Sequence, residues 1–358
     1  MVLSISTLAS SRESIRNSPQ PHSKALAFTA DDEMHQLIAA PPLAPIPSGI
    51  ELHLARGFRR GQTQTNTMRT LLILLLAAMS LAAQNPLDLL ESKLKTGLQK
   101  LDDHLTGILG VAAIDLTTGR TFQYNADTIF PTASTIKVPI LIEMFHAARA
   151  GEFKWTDSLT LQPHESAGGS GHLQEALAKG PVTLTIEDLI NKMIIDSDNT
   201  ATNKVISLAK MDRVNRLVQE LGAKQTRLRR IMMDTAAASK GQENVTTPLE
   251  MARIAESIYR HKAAHPEDCD AMTQIMKKVP GKIRNAIPAG IDVASKTGLL
   301  TGVHCEVAIV YLPHKPIVLS IYSTFLDASE NPIGDAATIL FEHYQKLDKS
   351  NAYGNQVR

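Results

Sequence analysis

The sequence is poor in cysteine, in aromatic rings, in excess charge and in long apolar runs. Cys269 and Cys305 are the only two cysteines in 358 residues, which makes no disulfide framework and no cysteine zinc site. The pair reads either as one bridge or as two buried thiols. Aromatic residues make up 4% of the chain, too few for the stacking platforms that hold single-stranded nucleic acid. Lys plus Arg number 37 against 36 Asp plus Glu, so neither a basic field for a polyanion nor an acidic tail is implied. His261 and His265 stand four apart without an H-E-x-x-H pattern, which argues against zinc, and no metal or organic cofactor is expected. The glycine-rich stretch "GGSGHL" (168–173) lacks the Lys-Ser/Thr and the preceding strand of a phosphate loop. It reads as a turn at the rim of a cleft.

What remains is ordinary globular composition, 43% hydrophobic and 20% charged, with room for one large domain or two small ones. Residues 1–67 are polar, carry Pro, Ser and Gln throughout and show no sustained periodicity, as a disordered or mis-assigned N-terminal extension would. Then comes "MRTLLILLLAAMSLAAQ", with Arg69, an apolar run from Leu71 to Leu81, and small residues at Ser80, Ala82 and Ala83. This order of charge, apolar run and small-residue site is that of a secretory signal, and the run is shorter than the roughly 20 residues of a membrane span. The expectation is a true start at Met68, a signal over 68–83, and an exported protein, periplasmic or secreted, without a stable membrane anchor. The main folded domain is then 84–358.

Leu87, Leu90, Leu94, Leu98 and Leu101 recur at helical spacing and predict a first amphipathic helix. "GILGVAAIDLTTGRTFQYN" predicts two strands around a turn at Asp115–Gly119. The runs "DVASKTG", "EVAIVYL" and "PIVLSIYSTF" predict strands near the other end, before a last helix from Asp335 to Lys346. Between these β blocks, about 134–280 reads as almost all helical. Thr185 with Asp188 forms a capping box, Asp212 is placed as the cap of "RVNRLVQEL", and Thr247-Pro248 opens another helix. The fold class is therefore α+β: an antiparallel sheet built from both chain ends with flanking helices, plus an inserted all-helical domain, and a cleft between the two.

Chemistry gathers at three places. In "PTASTIKVPI", Ser134 and Lys137 stand three apart, so on a helix the Lys137 amine shares a face with the Ser134 hydroxyl. A partly buried amine near another cation loses its proton more readily, and its neutral form can accept the serine proton. Ser197-Asp198-Asn199 follows the helical stretch "LINKMII", and Lys296-Thr297-Gly298 ends a strand.

With S-x-x-K, S-D-N and K-T-G in this order, the chain resembles the class A serine β-lactamases and their penicillin-binding, DD-peptidase-related kin over roughly 88–346. The resemblance implies the roles of the residues. Ser134 is the nucleophile that opens the lactam and is acylated, and Lys137 is its proton acceptor or part of a shared proton network. Ser197 relays a proton to the departing nitrogen, Asn199 binds the substrate's amide side chain, and Asp198 braces the loop. Lys296 and Thr297 hold the substrate carboxylate, with Lys296 also helping to keep Lys137 deprotonated. Gly298 lets the strand come close to the ligand, and the N–H groups of Ser134 and Leu299 form the oxyanion hole.

One part of the family pattern is missing. In class A enzymes a loop glutamate, with an asparagine four residues on, holds the deacylating water. Here "TRLRRIMMDTAAASKGQENVTTP" puts Met232 and Ala236 at those places, and Val245 replaces the aspartate that pairs with a loop arginine. Asp234 becomes the first candidate for the water base and Glu243 the second. The family's carboxylate-binding arginine on the following strand is also absent, with His304 near its place. The leading function is a class A type β-lactam hydrolase, monomeric and acting on small-molecule β-lactams. The alternatives are a DD-peptidase or transpeptidase relative, and a penicillin-binding protein that is acylated but deacylates slowly. N-terminal sequencing of the exported protein is expected to find a mature end downstream of Met68; an end upstream of it refutes the signal assignment.

Overall fold

The computed structural model describes residues 85–356. The N-terminal extension (1–67) and the signal (68–83) lie outside the described residues. Asn85 caps α1 (Pro86–Asp102) by accepting the Leu87 N–H, and Pro86 sits where no N–H is needed. Next come β1 (Ile108–Asp115) and β2 (Thr121–Tyr124), an antiparallel hairpin. Its turn forms because Asp115 Oδ1 accepts the N–H groups of Thr117 and Thr118 at 2.8 and 3.1 Å. Gly119, at φ 76°, completes it.

The chain then makes β3 (Phe130–Pro131), a 3-10 turn (Ala133–Ile136) and α2 (Lys137–Arg149). Next are β4 (Ser158–Leu161), α3 (Leu173–Leu177), β5 (Val182–Thr185) and α4 (Ile186–Ile194). They are followed by α5 (Asn199–Ala209), α6 (Met211–Glu220), α7 (Thr235–Ser239) and β6 (Val245–Thr246). Three helices lead back to the sheet: α8 (Pro248–Tyr259), α9 (Pro266–Met276) and α10 (Lys282–Ala286). β7 (Val293–Leu300), β8 (Val303–Val310), β9 (Ile317–Thr324) and α11 (Ile333–Lys349) complete the described chain.

The five-stranded sheet runs β2-β1-β9-β8-β7, antiparallel at every pairing, and so joins both ends of the domain. Alternation along each strand splits the core in two. One face carries Ala112, Ala294, Val307 and Val318 against the helical block; the other carries Val111, Val293, Ala308 and Leu319 against α1, α10 and α11. The α+β expectation holds. β7 lies at the sheet edge and packs along the 3-10 turn, so the end of the sheet meets the start of α2.

Two details differ from the sequence reading. The helical block contains the pair β4–β5, whose β-branched positions suit a strand and whose Thr160 and Thr183 hydroxyls meet across it at 2.8 Å. A second small pair, β3–β6, ties the entry of the block to its exit. α6 begins at Met211, not after Asp212; Lys210, at φ 64°, takes the capping place, and Asp212 falls in the first turn, where it favours the helix through the N-terminal dipole. The capping box of Thr185 and Asp188 and the Thr247 cap on the Glu250 N–H are present. No helix among the described residues is long and apolar enough to cross a membrane.

Candidate active site

Ala133 adopts φ 43°, a left-handed value that turns the chain from β3 into the 3-10 segment carrying Ser134. α2 continues from it at Lys137 and is apolar nearly all round, so its first residue is drawn into the core: Lys137 is fully buried. Its Nζ donates to Ser197 O at 2.7 Å, Ser197 Oγ at 3.1 Å and Asn199 Oδ1 at 3.2 Å. Burial first, and then the charge of Lys296, push the Lys137 amine well below its ordinary range, while Asp198 opposes them.

Lys296 enters from β7, also fully buried, and donates to Ser197 Oγ at 3.1 Å and to Thr297 O at 3.0 Å. Burial pulls it down to about 8, against the raising influence of Cys305 and Glu306. The Ser197 hydroxyl therefore bridges two buried amines. It gets there through a left-handed backbone, φ 54°, uncommon for a residue with a side chain and typical of sites held in place by their surroundings.

Those surroundings are the Ser-Asp-Asn loop and the glycine-rich turn, stapled together. Asp198 is buried; its Oδ1 caps α5 on the Ala201 N–H at 2.8 Å and its Oδ2 takes the Leu173 N–H at 2.9 Å. Asn199 donates its backbone N–H to Ser170 O and its side-chain amide to Gly168 O, both at 3.0 Å. Gly171, at φ 96°, has to lack a side chain, because a Cβ there would lie 2.1 Å from Asp198 Oδ2. The sequence placed this turn at a cleft rim. Its role as the outer half of the loop was missed, and the G-x-G spacing beside S-D-N was the available signal.

Lys137, Ser197, Asn199 and Lys296 are thus joined by direct hydrogen bonds, with Ser134 one short turn before Lys137. The direct bond expected between Ser134 and Lys137 is not formed: Ser134 sits in 3-10 geometry, and the amine reaches the Ser197 carbonyl instead. Ser134 is half-buried, and its hydroxyl has no hydrogen-bond partner among the described residues. Gly298 also serves a different neighbour from the one anticipated. A Cβ at 298 would come within 2.4 Å of Cys305 Sγ and 2.9 Å of Thr132 O, so the missing side chain lets β7 close onto the turn that carries Ser134. Thr297 is half-buried and Leu299 is exposed on the same edge strand.

Asp234 and Glu243 do not join this cluster through any described hydrogen bond. Asp234 is half-buried and caps α7, its Oδ1 accepting the Ala237 N–H at 2.9 Å. Glu243 is engaged by the Arg230 guanidinium at 2.7 Å, supplying from two residues earlier the acid that Val245 lacks. Asn244 closes the same neck, its Oδ1 accepting the N–H groups of Arg229 and Arg230 at 2.7 and 3.0 Å. Met232 is buried, with its backbone clamped by Asn203, and Ala236 is exposed. His304, on β8, pairs with Leu299 of β7, its imidazole lowered by burial and by Lys282. Cys269 and Cys305 are separate buried thiols; Cys305 Sγ donates to Thr132 O at 3.1 Å.

A helical block set against an antiparallel sheet is the fold this chain shares with solved β-lactamase and PBP-A structures. The chain belongs to the β-lactamase enzyme family, whose sequence model matches residues 93–344. β-Lactamase PSE-4 of Pseudomonas aeruginosa is 25% identical over 246 residues, covering 67% of this chain and 84% of that protein. The crystal structure of a β-lactamase from Sphaerobacter thermophilus is 30% identical, with a TM-score of 0.64, and covers 72% of this chain and 97% of that one. A PBP-A mutant, solved as an acyl-enzyme complex with penicillin-G, is 25% identical with a TM-score of 0.65 over 75% of this chain and all of its own.

Behind the site, Glu306 lies opposite Thr297 on β8, buried at 1% exposure. Its Oε2 accepts the N–H groups of Lys282 and Ile283 at 2.9 and 3.1 Å, while Oε1 is buried without a partner among the described residues. Burial outweighs these bonds and raises the carboxyl from 4.5 to about 7. The folded chain then holds a proton that the unfolded chain has already released, so this group's contribution to stability falls as pH rises from about 4.5 through about 7. Thermal melts of Glu306→Gln should lack that slope, the difference from the parent shifting in the variant's favour between roughly pH 5 and 8. Parallel pH curves for the two proteins would show that the carboxyl does not titrate there.

Proposed function

We propose that the protein is an exported serine enzyme of class A type that opens β-lactams through an acyl-enzyme on Ser134. The observation carrying this reading is the Ser197 hydroxyl, 3.1 Å from both the Lys137 and the Lys296 amines, just beyond the turn that holds Ser134. Burial favours the uncharged form of the Lys137 amine. In that form, exchanging one of its three present bonds to the Ser197–Asn199 segment for the serine, it takes the proton from Ser134 Oγ as the oxygen attacks the lactam carbonyl carbon. The ring C–N bond breaks, and the nitrogen receives a proton through Ser197. Lys296 and Thr297 hold the substrate carboxylate, and the N–H groups of Ser134 and Leu299 stabilise the oxyanion. Asn199, with one amide hydrogen on Gly168 O, offers the other to the acylamino carbonyl. The enzyme acts as a monomer on small β-lactams, without nucleic acid and without a stable membrane anchor.

Release of the acyl group needs a base for water, and Asp234 is the first candidate, since its Oδ2 has no partner among the described hydrogen bonds. A second reading is a penicillin-binding or DD-peptidase relative whose acyl-enzyme persists. It is favoured by the buried Met232 at the glutamate's place and by the use of Glu243 in its ion pair.

Intact-mass spectrometry after addition of a penicillin separates these readings. A transient adduct with accumulating hydrolysed product supports hydrolysis, and a lasting adduct supports the second reading. No adduct, or an equal adduct on Ser134→Ala, overturns the assignment. If hydrolysis is seen, turnover of a chromogenic cephalosporin should fall at least ~tenfold in Asp234→Asn. Unchanged turnover removes Asp234 as the base.

A further inference from the structure

Met233 is a large apolar side chain left 47% exposed, on a backbone at φ 63°. Both features are costly for a methionine: the left-handed region crowds its Cβ, and its apolar surface faces water. The reason for its placement lies at the glycine-rich turn. A Cβ built on Gly169 would meet Asn199 Nδ2 at 2.8 Å, Met233 Sδ at 3.0 Å and Met233 Cε at 3.6 Å. The thioether therefore extends from the Arg230–Glu243 loop onto Gly169 of the glycine-rich turn, the same residue whose Cβ position the Asn199 amide flanks. Gly169, at φ 82° and without a side chain, leaves the space that the methionine fills.

Resting on the reading of Asn199 as the group that binds the substrate's acylamino carbonyl, we infer that Met233 is a specificity-determining residue that packs on the acyl side chain. A carbonyl accepting the free amide hydrogen of Asn199 carries its substituent on the next atom, close to the Met233 thioether. A flexible, polarisable thioether at that place favours apolar acyl groups, and aromatic ones most, because sulfur lies well against a ring edge. The same loop that lacks the glutamate thereby presents a hydrophobic wall on the acyl-binding side. The substrate class is β-lactams with an aryl-bearing acylamino group, in preference to those with a bare amine.

The test compares second-order acylation rate constants for benzylpenicillin, which carries a phenylacetyl group, and for 6-aminopenicillanic acid, which carries none. Wild type, Met233→Gly and Met233→Leu are measured with both. Glycine is at ease at this backbone angle and removes the wall without strain, and a melting curve checks that the variant is folded. The benzylpenicillin to 6-aminopenicillanic acid ratio should fall about tenfold in Met233→Gly and be largely restored in Met233→Leu, which keeps the volume. An unchanged ratio, or an equal loss toward both compounds, overturns the inference and leaves the acylation chemistry standing. Failure of the wild type to react with either compound overturns the acyl-enzyme reading itself, and this inference with it.

Discussion

The dehydration of the Lys137 amine is the constraint around which the rest is arranged. An ammonium taken out of water with no anion to pair with is unfavourable by several kcal/mol, and the chain relieves this by favouring the uncharged form. The acceptors around Nζ all come from one short segment, Ser197 to Asn199, and a second buried lysine adds repulsion from the far side. That arrangement needs α2 to be apolar along most of its surface, the Ser-Asp-Asn segment to be held rigidly, and β7 to press against the turn ahead of α2. The buried carboxylate of Asp198 stands as the local counterweight: it braces the loop through two N–H groups and limits how far the amine is pushed.

Much of this was legible because the chemistry is local in sequence. Ser134 and Lys137, Ser197 through Asn199, and Lys296 through Gly298 each hold their functional groups within four residues. The sheet was legible because strands alternate and Asp115–Gly119 announces its own turn. The missed features depend on contacts between distant segments. Gly171 answers to Asp198, 27 positions further on, and Gly298 answers to Cys305 and Thr132, one strand over and one turn away. The 3-10 geometry at Ser134 follows from the left-handed Ala133, which no propensity predicts for alanine. Asp212 looked like a cap because its residue type favours caps, but Lys210 had already taken the turn.

The buried lysine cluster and the loop from Arg230 to Glu243 are separate units of this chain. Lys137, Ser197 and Lys296 are cross-linked by hydrogen bonds between three elements: the start of α2, the segment before α5, and β7. The stretch that would supply hydrolytic water chemistry in class A enzymes is occupied instead by methionines and by a carboxylate that caps a five-residue helix. The structural relatives include β-lactamases and PBP-A alike.

The neck formed by Arg230, Glu243 and Asn244 has a consequence for how such a protein changes over time. Because the ion pair and the asparagine clamp close the loop at its base, residues 231–242 behave as a cassette whose ends are anchored independently of what lies inside. The loop's contents can vary behind that neck while the serine, the two lysines and the strand edge keep their own contacts. Side-chain changes inside that insert then leave the hydrogen bonds that position Lys137, Ser197 and Lys296 untouched.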